Sequence, residues 1–171
     1  LPAALVEGLR TTAAHSTLIV GDSNSTAIHA DGTLGRGVAE VELSRQEVDT
    51  ATRVEASHDG YVRRFGFVHR RQLALASDGR ELRGEDMLLP GGKRRPGETP
   101  FVIRFHLAPG IRVSPTADGL AALLRLPGGP VWQFRCRGAA LTVDDSLWID
   151  ADGRPQPSQQ IVLSASAAAG G

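Results

Sequence analysis

One cysteine, Cys136, stands in 171 residues, so no internal disulfide can form and the fold has to rest on packing. A net charge of zero, with 19 Lys+Arg against 19 Asp+Glu, removes the main reason to expect nucleic acid or an anionic bilayer as partner. No stretch approaches the roughly 20 continuous apolar residues of a membrane span. The first residues, Leu1-Pro2-Ala3-Ala4, show neither Met nor a secretory pattern. The last residues, 164–171, carry only small side chains, so the sequence reads as a piece of a longer protein. No repeat of fixed period and no linker interrupts it. The expectation is one domain over residues 1–171, with 1–8 and 165–171 peripheral or disordered.

What is abundant is turn chemistry. Asp-Gly pairs stand at Asp31-Gly32, Asp59-Gly60, Asp78-Gly79, Asp118-Gly119 and Asp152-Gly153, joined by Pro109-Gly110 and Gly128-Gly129. Such pairs tolerate the positive φ that tight hairpins need. Between them lie short apolar runs at 17–20, 37–43, 52–56, 61–75, 101–107, 121–126, 131–135, 147–149 and 160–163. Several alternate with period two. Phe101, Ile103, Phe105 and Leu107 fall on one face, and Val102, Arg104 and His106 on the other. Residues 78–90 predict a hairpin and 90–100 an exposed loop. Helix is confined to a turn or two over 2–9. The fold class is all-β, an antiparallel β-sandwich (supersandwich-like) with short hairpin turns.

Local spacing yields little chemistry. The five histidines, at 15, 29, 58, 69 and 106, show no i, i+2 or i, i+4 pair, so no complete metal site is legible. Lys93-Arg94-Arg95 lacks the order of a phosphate loop and reads as a solvated loop. Asp22-Ser23-Asn24-Ser25-Thr26 begins like a calcium loop but lacks its Gly and Glu, and reads as a polar turn. Cys136 alternates with Arg135 and Arg137 and reads as a small packed hydrophobe. The densest polar segment is 56–71. On one continuous strand, Tyr61, Arg63, Phe65, Phe67, His69 and Arg71 would share a face, with Arg64 and Arg70 opposite. Such a face has the stacking and bidentate groups to hold a carboxylated sugar. Spacing alone favours a long central strand with solvated charged ends.

Six words in order carry a resemblance. They are residues 10–18 (RTTAAHSTL), Ser57-His58-Asp59-Gly60-Tyr61, Gly66-Phe67-Val68-His69-Arg70-Arg71, Gly84-Glu85-Asp86, residues 105–110 (FHLAPG) and residues 159–163 (QQIVL). Together they resemble the C-terminal β-sheet domain of bacterial heparinase II/III-like polysaccharide lyases. The resemblance implies a parent enzyme in which an N-terminal α/α toroid joins this sandwich, with an acidic polysaccharide in the cleft between them. The implied reaction is β-elimination from a uronic-acid polymer. The toroid would carry the catalytic groups, so no catalytic residue is expected here and the fragment alone is expected to be inactive.

The resemblance also maps His15 onto a divalent-metal ligand, zinc or calcium, in a site that residues outside this sequence would complete. It marks His58, Tyr61, His69 and Arg70 as substrate-facing or architecture-holding. It implies a periplasmic or cell-envelope location. The alternative from another class is a carbohydrate-binding or adhesive β-domain without chemistry.

Overall fold

A computed structural model describes residues 1–93 and 97–168. Strand makes up 54% of them and helix 8%, and all three sheets are antiparallel, which establishes the all-β sandwich class. Contacts group the backbone into two compact units, one of Leu1–Asn24 with Pro100–Ser166 and one containing Ser25–Thr99.

The first unit opens with a short helix, α1 (Ala3–Leu9), and a 3-10 turn (Thr12–Ala14). Its main sheet has the order β1-β6-β11-β10, formed by β1 (Leu18–Val20), β6 (Thr99–His106), β11 (Pro155–Ala167) and β10 (Ala140–Ile149). A second sheet follows the meander β7 (Arg112–Pro115), β8 (Ala121–Arg125), β9 (Val131–Arg135). Alternation decides which face is dry. Leu18 stands opposite Ile103, Val20 opposite Phe101, and Leu141 opposite Leu163, so these apolar residues line one face of the main sheet. Leu18, Val20 and Ile161 are among the most deeply buried side chains, each worth about 1.5–3 kcal/mol of hydrophobic stabilisation. Phe105 packs on Phe134 of β9 with ring centroids 5.5 Å apart, and Val113 N–H donates to Gln159 Oε1 at 3.1 Å. These contacts join the two sheets of this unit. The other face of the main sheet is mixed: the buried Ile19 and Val162 share it with Arg104, His106, Ser146, Ser158 and Gln160.

The second unit is one meander, β2 (Val41–Val48), β3 (Ala51–Tyr61), β4 (Phe67–Ala76) and β5 (Leu82–Pro90). β2 and β5 are its edges, and every residue of β2 is exposed.

The punctuation of the sequence works with one exception. Gly32, Gly79, Gly119 and Gly153 all have positive φ at reversals. Asp59-Gly60 is different: it lies inside β3, with a bulge between His58 and Tyr61. Asp59 Oδ1 accepts the N–H groups of Ala39 (2.8 Å) and Glu40 (3.1 Å), fastening the preceding loop. Gly60 is required by space, since a Cβ there would lie 2.7 Å from the Ser25 carbonyl oxygen and 2.8 Å from Val38 Cγ2.

The predicted continuous strand over 61–75 is also corrected. A helical turn, α2 (Val62–Phe65), closed by Gly66 at φ 78°, reverses the chain so that Tyr61 and Phe67 become cross-strand partners. Arg63 and Phe65 therefore leave the expected shared face. Phe67, His69 and Arg71 keep it, with Arg70 opposite. The predicted run at 121–126 becomes β8, and β7, absent from the predicted strands, is an additional short strand. Of the basic loop, Arg94 and Arg95 lie outside the described residues.

Candidate functional site

The turn at Gly66 brings two histidines eleven residues apart into register. His58 on β3 faces His69 on β4, and on β5 Asp86 stands opposite Arg71. All four side chains point to one face of the sheet. Gly60 N–H reaches His58 Nδ1 at 3.2 Å, His58 Nε2 lies 3.2 Å from His69 Nδ1, and His69 Nε2 lies 2.7 Å from Asp86 Oδ1. Arg71 clamps the same carboxylate, Nε to Oδ1 at 2.8 Å and Nη2 to Oδ2 at 2.9 Å.

A backbone N–H can only donate, and that fixes the remaining protons. His58 Nδ1 must accept, so its Nε2–H donates to His69 Nδ1, and His69 Nε2–H donates to Asp86. Each of the four ring nitrogens is then committed. A proton added to either ring would set donor against donor.

The electrostatics agree with a neutral His58. Burial holds the His58 imidazole below its ordinary 6.5, with the neighbouring His69 adding to the effect and Asp59 opposing it. Burial pushes Asp86 upward, but the hydrogen bonds from His69 and Arg71 outweigh it and hold the carboxyl below its usual range. The ring of Tyr61 lies against His58 with centroids 5.5 Å apart.

Of the residues singled out in the sequence, this cluster gathers His58, Tyr61 and His69. Tyr61 is 1% exposed and His69 4%, while His58 is half-buried. Arg70 points to the opposite face, 3.6 Å from Glu55, with its side chain 36% exposed. Asp86 and Arg71 complete the network. Asp86 lay in a word noted for resemblance alone, and nothing local in the sequence ties it to His69.

In the first unit, His15 ends the 3-10 turn and is exposed. The backbone on either side of it is pinned. His106 Nε2–H donates to the Ala13 carbonyl at 2.9 Å, its Nδ1 accepts from Ser146 Oγ at 2.8 Å, and its backbone N–H donates to Ser16 Oγ at 3.0 Å. Thr12 N–H donates to Asn24 Oδ1 at 2.8 Å, which gives the polar turn at 22–24 a structural task. The result is an imidazole presented to solvent from a fixed base. Among the described residues, no group of three or more His, Cys, Asp or Glu is placed to hold a metal ion, so any metal at His15 needs donors beyond them. Cys136 lies 3.6 Å from the carbonyls of Leu120 and Ala139, and burial, then the Asp118 charge, pushes its thiol upward. No described helix is long and apolar enough to cross a membrane.

Fold and site together define an antiparallel sandwich protein stiffened by a buried His-His-Asp-Arg network. The sequence family described as Heparinase II/III-like, C-terminal, matches residues 5–171, and the chain belongs to it. Among curated proteins, the chain is 33% identical over 168 residues to FtsZ-localized protein C of Caulobacter vibrioides (strain NA1000 / CB15N). That match takes in 84% of this chain and 28% of the relative. Among solved structures, the Heparinase III-BT4657 gene product shares the fold with a TM-score of 0.70 at 12% sequence identity. The likeness covers 96% of this chain and 24% of that one. The chain thus spans about a quarter of the length of both proteins.

Proposed function

We propose that this chain is the accessory β domain of a heparinase II/III-like lyase that cleaves uronic-acid polysaccharides by β-elimination in the periplasm or cell envelope. The observation that carries the reading is the family match over residues 5–171. Elimination requires the uronate carboxylate to be neutralised so that the C5 proton can be removed. In this reading the acid and base belong to a toroid outside these residues, and the present domain forms one wall of the cleft.

His15 would hold a divalent metal together with donors elsewhere in the parent. An imidazole nitrogen suits zinc better than calcium, which takes oxygen ligands. Arg70 is exposed enough to meet sugar. Tyr61 and His69, being buried, serve by holding the sheet that presents the wall.

The test is elimination by the full-length parent, followed as the ultraviolet absorbance of unsaturated uronate. Activity is expected from the parent and none from residues 1–171 alone. Elimination by the isolated chain, or a parent inert on every uronate polymer, overturns the proposal. For the metal, equal metal content in the parent and its His15→Ala variant removes the assignment of His15.

A second reading has its own support: the relative at 33% identity carries a name that records a location and no reaction. On that reading the chain is a non-catalytic carbohydrate-binding or adhesive domain that places its parent. Loss of localisation of a tagged parent lacking residues 1–171, with no elimination by the intact protein, would favour it.

A further inference from the structure

Among the described residues, three arginines are drawn in from the surface: Arg70, Arg71 and Arg104. Arg71 is clamped on Asp86 and Arg70 lies 3.6 Å from Glu55. Arg104 has no carboxylate partner. On the mixed face of the main sheet, its Nη1–H donates to Gln160 Oε1 at 3.1 Å, and its buried Nε has no hydrogen-bond partner among the described residues. Arg104 is half-buried, and drawing a cation even partly out of water without a counter-charge has a cost, which makes its position informative.

The surroundings hold Arg104 rather than neutralise it. Gln160 is itself buried, and its Nε2–H donates to the Asp145 carbonyl at 3.0 Å, so its Oε1 is fixed toward the guanidinium. The Arg104 backbone N–H donates to the Thr17 carbonyl at 3.0 Å, tying the residue to the segment that carries His15. Asp144, opposite Gln160 in the register, is exposed and makes no ion pair with Arg104. Two residues before Gln160 on the same face, Ser158 Oγ is the second buried polar atom here without a partner. Both nitrogens of His106 are already spent.

We infer that Arg104 is a carboxylate-recognition site for an acidic sugar. The inference rests on the uronate reading above and deepens it. Nε is closed off, but the Nη groups, of which Nη1 alone is bonded among the described residues, keep unspent donors that match a planar carboxylate through a bidentate fork. Asp144 stands across the strand pair from Gln160 on this face, and a sugar sulfate ester carries the same single charge as a carboxylate, so shape decides: the planar fork fits the two coplanar oxygens of a carboxylate better than the pyramidal oxygens of a sulfate ester.

The experiment is a titration of the chain with an unsulfated uronate oligosaccharide, its sulfated counterpart and its carboxyl-reduced counterpart. The readout is the Arg104 Nε–Hε resonance, assigned by its disappearance in Arg104→Lys. The acid form is expected to shift it, sulfation to add nothing, and the reduced form to leave it in place. Arg104→Gln is expected to weaken binding about tenfold or more. Equal binding by the reduced sugar, or oligosaccharide binding unchanged by Arg104→Gln, overturns the site while leaving the polysaccharide reading standing. A shift with free glucuronate but none with any oligosaccharide upholds the site and counts against the polymer. A resonance that no carboxylate moves overturns the inference outright.

Discussion

His69 Nε2 stands 2.7 Å from Asp86 Oδ1, with the two side chains only 4% and 8% exposed. Arg71 shares that carboxylate and His58 supports His69 from the other side. Three short words of the sequence thereby converge on one buried cluster: the segment around His58, the segment from Gly66 to Arg71, and Gly84-Glu85-Asp86. Within Ser57-His58-Asp59-Gly60-Tyr61 each position has its own task. Ser57 donates to Glu42 across the strand pair, His58 enters the network, Asp59 fastens the loop, Gly60 gives it room, and Tyr61 fills the interior.

Removing the carboxylate should therefore be severe. Asp86→Ala removes the acceptor that Arg71 and the His69 N–H share, and breaking a buried pair of this kind costs about 3–5 kcal/mol. Asp86→Asn keeps the shape and one acceptor, so its loss should be smaller, about 1–3 kcal/mol. Denaturant unfolding of the two variants checks the order; equal losses would show that the retained shape and acceptor contribute nothing and that the charge carries the whole effect.

Stability should fall on mild acidification. The folded His58 pKa lies below 6.5, so the unfolded chain binds its proton more readily. Stability is then fully present above 6.5 and declines as pH drops from there toward the folded value. Asp86 acts lower on the scale: its contribution is present above the ordinary carboxylate value of 3.8 and is lost as pH falls through its depressed folded value. Thermal unfolding from about pH 7 to about pH 5 should show a declining Tm that flattens in His58→Gln. The same slope in the variant would assign it to another group.

The two kinds of glycine separate by substitution. Gly79 sits at φ +69° in open space, so Gly79→Ala meets only the left-handed backbone, about 1 kcal/mol. Gly60→Ala drives a methyl into the Ser25 carbonyl and Val38, and overpacking of this kind costs about 1–3 kcal/mol, toward the upper end where backbone must shift. Unfolding midpoints should rank Gly60→Ala below Gly79→Ala.

Alternation and Asp-Gly pairs are local, and local rules placed most strands and four of the five Asp-Gly turns. They failed where a residue answers to something distant. Gly60 reads as a turn glycine, but its requirement is set by Ser25, thirty-five positions upstream. The segment 61–75 alternates well enough to pass for one strand, because nothing in Val62-Arg63-Arg64-Phe65 announces a helical turn until Gly66 is seen in the left-handed region. That misreading hid the network, since His58 meets His69 only once the hairpin exists. His15 was legible through resemblance alone. The clamp that steadies it, His106, lies about ninety residues away and is tied to it by no spacing rule. Arg104 shows as the polar member of an alternating strand, and only the absence of a carboxylate beside it gives it meaning.

Apolar exposure supplies the last prediction. In the register of the second unit, Val41 and Leu43 on β2, Leu75 on β4 and Leu82 on β5 fall on the face that also carries His58 and His69. Leu43 is 72% exposed and Leu82 60%, on a sheet whose β2 edge is uncovered. Contiguous apolar surface of this kind drives association, and an uncovered edge strand adds unpaired backbone groups. Of the charges along β2, Glu42 points away, whereas Arg45 and Glu47 lie on this same face and pair with each other there; they oppose edge pairing and bound the apolar patch without covering Leu43 or Val41. The chain is therefore expected to self-associate as its concentration rises, and the double variant Leu43→Lys, Leu82→Glu to do so less at unchanged net charge. Sedimentation velocity over a concentration series distinguishes the outcomes. A monomer at every concentration would mean that four exposed aliphatic side chains on one sheet face are too sparse to drive contact.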